Sequence, residues 1–166
     1  MRIAIISDIH DKIGHLKQVL GRFEALGPQA VILCGDITKP EALLAARLPG
    51  LPLAFCLGNC DRGEASRLKA TAADYGLGAW GDLGEWDLGA GQRPLAFTHF
   101  PAIARKAADS GLYQAVFYGH THRRAEEWLS GPHGDCLLAN PGDIEGRYGK
   151  PGALCWDSDS GQLDWV

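Results

Sequence analysis

The sequence contains no apolar run approaching the roughly 20 residues that a membrane-crossing helix needs. Its first residues, Met1-Arg2-Ile3-Ala4-Ile5-Ile6-Ser7-Asp8, meet charge too early for a secretory signal. Both absences point to a cytoplasmic protein without a membrane partner. A basic surplus is also missing: 16 Lys and Arg stand against 20 Asp and Glu, a net charge of −4. Proteins that coat nucleic acid draw affinity from neutralising phosphates, so the acidic balance argues against general DNA or RNA binding. The five cysteines form no Cys-x-x-Cys pair and no spacing of a zinc knuckle or disulfide frame. Cys34 and Cys56 lie inside apolar runs and read as small buried hydrophobes. Internal repeats, long linkers and low-complexity tracts are absent too, as are a Gly-rich phosphate loop and the residue order of a Ser-His-Asp hydrolase.

What remains is a 166-residue chain, 46% hydrophobic and 22% charged, the composition of one globular domain over residues 1–166. Short apolar runs end on polar residues at Arg2 to Asp8, Ala30 to Asp36, Leu53 to Asn59, Leu95 to His99 and Ala115 to His122, and they read as buried strands. Helical spacing links the first three. Leu16, Val19, Leu20, Phe23 and Leu26 form one apolar stripe, Pro40 opens a second helix through Leu48, and Glu64 to Tyr75 forms a third. The second half reads as hairpins: Trp86 to Leu88 with Leu95 to Thr98, Glu126 to Leu129 with Cys136 to Ala139, and Gly152 to Trp156 with Gln162 to Val166. The expected fold class is α/β, two packed mixed sheets with helices on their outer faces.

Asp8-Ile9-His10 and His120-Thr121-His122 are weak motifs alone, since short pairs of this kind arise readily by chance. Their position strengthens them. Asp8, Asp36, Asn59, His99, His120 and His122 all fall at the ends of separate apolar strands, where open α/β sheets place their ligand sites. With His10 they bring two carboxylates, one amide and four imidazoles, a nitrogen and oxygen set suited to first-row divalent metals. Seven ligands exceed one tetrahedral zinc. They match two ions sharing a bridging carboxylate, about 3.5–4 Å apart as in two-metal hydrolases.

The blocks Asp8-Ile9-His10, Gly35-Asp36, Gly58-Asn59-Cys60-Asp61, Thr98-His99 and Gly119-His120-Thr121-His122, with Asn140-Pro141-Gly142, make the chain resemble the calcineurin-like metallophosphoesterases, in particular their small single-domain phosphodiesterase branch. The resemblance implies a four-layer αββα sandwich. It assigns Asp8, His10 and His122 to one metal and Asn59, His99 and His120 to the second, with Asp36 bridging. Two divalent ions are implied, manganese first, with Fe, Zn, Ni or Co as alternatives. The implied activity is phosphoester hydrolysis of a small substrate by a metal-bridging hydroxide, diesters before monoesters, with Asp36, Asn59 and Cys60 as catalytic positions.

Cys60 departs from the histidine that many members carry there. A thiol is a poor cation and a weak donor, so leaving groups that need little protonation are favoured. Gly35, Gly58 and Gly119 precede ligands and would let strands turn sharply. His15 and Asp11 lie near the metal loop, where either could orient a ligand; a solvated position is the plainer reading. Asp61 reads as structuring the Asn59 loop, His133 as a turn residue, and the Trp side chains at hairpin positions as sheet packing. Arg62, Arg147 and Lys150 are candidate phosphate contacts, although solvated basic residues are the rule. The competing readings are a phosphomonoesterase and a protein-binding scaffold of the same fold. The retromer subunit similar to this branch is such a scaffold, and proteins of that kind have replaced metal-ligand histidines; here all seven positions are intact.

Overall fold

The computed structural model describes residues 1–89 and 91–166. Strand and helix alternate at first: β1 (Arg2–Ile6), α1 (Ile13–Phe23), β2 (Ala30–Cys34), α2 (Pro40–Ala45), β3 (Leu53–Cys56), a 3-10 turn over Asn59–Asp61, α3 (Ala65–Tyr75) and β4 (Gly78–Ala79). There follow β5 (Leu83–Trp86), β6 (Leu95–Thr98), α4 (Pro101–Asp109), β7 (Ala115–Phe117), β8 (Arg124–Leu129), β9 (Cys136–Pro141), β10 (Leu154–Asp157) and β11 (Leu163–Trp165). One sheet has the order β11-β10-β1-β2-β3-β4 and the other β5-β6-β7-β9-β8. Strands β1 to β4 run parallel, and so do β6, β7 and β9. Antiparallel strands complete the edges.

The two-residue period of the strands decides the layering. Ile3 and Ile5 of β1 point between the sheets, where they meet Ile32, Phe97, Phe117 and Trp156. Their neighbours Ala4 and Ile6 face the other way, onto Leu16 and Phe23 of α1, Leu43 of α2 and Leu68 of α3. On the far side of the second sheet, Ala96, Val116 and Leu138 pack against Ala104, Ala107 and Ala108 of α4. The result is the expected αββα sandwich. Phe117 and Trp156 meet edge to face at 5.4 Å between the sheets, and truncating either would cost roughly 3–5 kcal/mol.

Among the elements that differ from the sequence expectation, three do so for a local reason. Helix α2 stops at Ala45 instead of Leu48, because Pro49 has no N–H to return to the Ala45 carbonyl and disfavours helical geometry at Leu48. Strand β5 lies at Leu83–Trp86 instead of Trp86 to Leu88. Gly84 there pairs with Phe97, whose ring lies 2.3 Å from where a Cβ on residue 84 would stand, so the aromatic ring covers the glycine. Helix α4 gave no large apolar stripe, since its buried face is three alanines. Trp128, expected in sheet packing, stands half-exposed on edge strand β8. No described helix is long and apolar enough to cross a membrane.

Candidate metal centre

Parallel pairing puts the carboxyl ends of β1, β2 and β3 on one edge of the first sheet, and those of β6 and β7 on one edge of the second. The chain leaves these ends abruptly. Asp8, His10, Asp36, His120 and His122 all have left-handed backbone, with φ of 54°, 42°, 51°, 71° and 58°. Such conformations cost roughly 1–3 kcal/mol each in residues with a side chain. Asp and His tolerate them better than bulkier residues do, and here the turns bring these side chains together at the edge where the strands end.

Close approach explains the glycines better than backbone freedom does. Only Gly35 of the three has left-handed backbone, at φ 83°. A Cβ on Gly58 would lie 2.1 Å from Asp36 Oδ1, and one on Gly119 2.0 Å from Ser7 Oγ. Gly58 lets the loops after β2 and β3 touch within one sheet, and Gly119 lets a loop of the second sheet touch the end of β1 in the first.

All seven predicted ligands converge. Asp8 turns one oxygen away from the cluster: Oδ2 accepts from Ser7 Oγ at 2.6 Å and from the His120 amide at 3.0 Å. Its Oδ1 faces His122 Nε2 at 3.4 Å and His10 Nε2 at 3.7 Å. Asp36 Oδ1 accepts from the Cys60 amide at 2.8 Å, while Oδ2 lies 3.5 Å from His10 Nε2 and 3.4 Å from His99 Nε2. That one oxygen therefore looks toward both histidine groups. Asn59 Oδ1 lies 2.9 Å from His99 Nε2 and from His120 Nδ1, which are 3.2 Å apart.

Neighbouring groups orient the imidazoles. His99 Nδ1 faces the Cys34 carbonyl at 2.9 Å, and His122 Nδ1 faces Asp143 Oδ2 at 2.9 Å. Each partner is an acceptor, so the proton sits on Nδ1 and the Nε2 lone pair points into the cluster. The His10 and His122 rings stack with centroids 5.2 Å apart. The Asp8 carboxylate, opposed by burial and aided by Asp36, raises the His10 pKa above its ordinary value. Burial works to raise the Asp8 carboxyl, but His10 and Ser7 hold it low.

The donor set fits divalent metal. Asp8 Oδ1 and His10 Nε2 are buried without any hydrogen-bond partner, a costly condition that a cation would relieve. At Asn59, three atoms able to accept converge with at most one proton among them when the rings are neutral. Ligand atoms bound at about 2.1 Å to a shared ion lie about 3.0–3.4 Å apart, close to the spacings in both groups.

The other candidates separate cleanly. Asp61 accepts from the Gly58 and Thr38 amides, both at 2.7 Å, and structures the Asn59 loop as expected. Asp11 holds Thr38 and Lys39 at the surface. His15 is half-buried instead of solvated, with Nδ1 3.2 Å from the Ile144 carbonyl. Arg147 approaches Glu145 at 3.9 Å, and Arg62 and His133 are exposed. Cys60 is exposed beside the cluster, its Sγ within 4.8 Å of ligand atoms of His10 and Asp36. Desolvation, then the Asp36 carboxylate, push its thiol up to about 11.

Sequence reasoning missed Asp143. Its one signal was position, directly after Asn140-Pro141-Gly142. The Asn140 side chain donates to the Gly119 carbonyl at 2.8 Å and accepts from the Gly142 amide at 2.9 Å. That turn thus clamps the loop bearing His120 and His122, and it delivers Asp143 to His122.

Residues 1–161 match the family model of the calcineurin-like phosphoesterase superfamily domain. The chain belongs to this superfamily. Phosphodiesterase MJ0936 of Methanocaldococcus jannaschii is 29% identical to this calcineurin-like chain over 147 residues, covering 88% of it and 86% of the relative. A solved archaeal phosphodiesterase superposes with a TM-score of 0.85 at 26% identity, covering 100% of this chain and 99% of the other. YfcE, a phosphoesterase from E. coli, shares the calcineurin-like fold with a TM-score of 0.65, at 18% identity and 100% and 98% coverage. Vps29 from Chaetomium thermophilum does so at 0.61, with 15% identity and 99% and 94% coverage.

Proposed function

We propose that the protein is a metal-dependent phosphodiesterase of one domain, residues 1–166, acting in the cytoplasm on a small phosphoester. The observation that carries the reading is Asp36 Oδ2, placed 3.5 and 3.4 Å from the nitrogens of His10 and His99, between two groups of inward-facing donors. Asp8, His10 and His122 would hold one ion, Asn59, His99 and His120 a second, and Asp36 would bridge. Bound there, the ions would activate water as the nucleophile and offset charge gathering on the phosphoryl oxygens. Manganese is the first choice for this nitrogen and oxygen set, with Fe, Zn, Ni or Co as alternatives.

The chain's own groups do the rest. Asp8 and Asp36 supply the negative charge, and the Cys34 carbonyl and Asp143 keep two imidazole lone pairs aimed inward. Cys60, with its thiol at about 11, is neutral near pH 7 and offers only a weak donor to a departing oxygen. Esters of acidic leaving groups are therefore the favoured substrates, diesters before monoesters.

Hydrolysis of bis-p-nitrophenyl phosphate and p-nitrophenyl phosphate with added manganese tests this reading. The diester is cleaved faster, and Asp36→Asn and His120→Ala each lower its rate by at least about 100-fold, the scale of losing a main electrostatic contributor. Equal activity in all three proteins would sink the proposal.

A further inference from the structure

A second space lies beside the metal cluster and shares one residue with it. His122 also lines a cavity of about 430 Å³ whose charged walls are Arg22, Arg123, Arg124, Lys150 and Asp143. Four cations against one carboxylate is an unusual concentration in a chain of net charge −4. Arg2, Lys39, Arg67, Arg105 and Arg147 each reach a carboxylate within 4.0 Å. Among the described residues, none of the four cavity cations does. Asp143 does not neutralise them at close range, because its Oδ2 is turned to His122 Nδ1 and to the Arg147 amide at 2.8 Å.

The four are not equivalent. Arg124 is committed to structure: it donates to the Val166 carbonyl at 2.6 Å and lies 5.3 Å over the Trp165 ring. Gly152 makes room for it, since a Cβ there would lie 2.5 Å from an Arg124 nitrogen. Arg22 makes one long contact, 3.5 Å to the Pro151 carbonyl. Arg123 holds its guanidinium carbon 4.7 Å over the Tyr148 ring, and among the described residues none accepts a hydrogen bond from the guanidinium N–H groups. The Tyr148 ring in turn stands edge-on to His122 with centroids 6.5 Å apart. The stack thus joins the cavity to a predicted metal ligand, with exposed Lys150 on the same wall.

We propose that this cavity is an anion subsite, in which Arg123 and Lys150 bind a second phosphate or carboxylate carried on the substrate. A planar guanidinium with free N–H edges suits the paired oxygens of such groups. The proposal rests on the phosphodiesterase reading of the metal centre and narrows its substrate class to small diesters bearing another anionic group near the scissile phosphorus.

A matched pair of esters tests it: thymidine 5′-(p-nitrophenyl phosphate), and the same molecule with a 3′-phosphate. With manganese, the starting protein prefers the doubly phosphorylated ester, and Arg123→Ala with Lys150→Ala lowers that preference by about tenfold, the scale of losing charge-assisted contacts. Lys69→Ala, on α3, leaves the preference in place. Calorimetry with thymidine 3′,5′-bisphosphate and thymidine 5′-phosphate gives a readout without turnover, and the double variant loses about tenfold only for the bisphosphate. A preference that is absent in the starting protein, or within twofold of it in the double variant, overturns the subsite. If no ester is hydrolysed at all, the phosphodiesterase reading fails, and the calorimetric difference decides the subsite alone.

Discussion

Where β1 begins, every charge has a partner. The Met1 ammonium donates to Ser158 Oγ at 2.9 Å and Asp159 at 2.8 Å, and Arg2 reaches the Leu26 carbonyl at 2.5 Å and Asp164 at 3.0 Å. Gln29 closes the corner with both its amide and its side chain on the Arg2 backbone. Six and eight residues further on, where the same strand has ended, Asp8 Oδ1 and His10 Nε2 are buried without partners, and both residues have left-handed backbone. One end of the sheet is finished by its own side chains. The other accepts strain and unsatisfied atoms, and sites that bind and react are commonly built that way. Substitutions at the two ends should therefore fail differently.

The largest effect is expected at the reactive end. Asp143→Ala removes the carboxylate that holds His122 Nδ1, and manganese affinity should fall by about 10–100-fold, the usual cost of losing such an orienting partner. Asp143→Asn, which keeps an acceptor, should recover part of it. Calorimetric titration with manganese measures both, and an unchanged dissociation constant would show that His122 needs no support.

The residues that close β2 and β3, just before the ligand loops, give an intermediate effect. Cys34 and Cys56 are paired in register and fully buried, and burial pushes both thiols well above the ordinary value of 9.0. Folded thiols keep protons that the unfolded chain releases above that value. Their stabilising contribution is complete below pH 9 and is lost as pH rises toward the folded values, by up to about 1.4 kcal/mol per pH unit for each thiol. Between pH 9 and 10 the loss in Cys56→Ala should be smaller by about 1 kcal/mol. Urea unfolding at the two pH values reads the difference, and parallel losses in the two proteins would count against this account.

The smallest effect belongs to the finished end. Arg2→Ala should cost about 0.5–1 kcal/mol, because its contacts are partly exposed and screened, and it should leave manganese affinity as it was. Loss of affinity in Arg2→Ala would erase the contrast between the ends.

The strand ends were legible because two signals coincide there: an apolar run stops, and a residue able to bind metal follows. That coincidence located Asp8, Asp36, Asn59, His99 and the pair His120 and His122 before any geometry. The hairpin of Glu126 to Leu129 with Cys136 to Ala139 was equally readable from its turn residues, and the structure extends it to Arg124 and Pro141. Helix α4 was not, because three alanines bury a helix face without writing a large apolar stripe. The start of β5 was hidden for a related reason: Gly84 carries no side chain, and the ring that covers it belongs to Phe97 on another strand. Asp143 lay beyond periodicity altogether, since its role depends on where the Asn140 turn aims it. The cations of the cavity are scattered from Arg22 to Lys150, and only the folded chain brings them together.

The His120 amide donates to a carboxylate 112 residues earlier in the chain, which has a consequence for how the protein assembles. A contact of that sequence separation closes late, after much of the loop entropy has already been overcome. The ligand cluster draws on both sheets, so neither sheet can form it alone during synthesis. Metal capture should then follow folding instead of templating it, and a chain interrupted before Asn140 would emerge from the ribosome without the turn that secures its last two ligands.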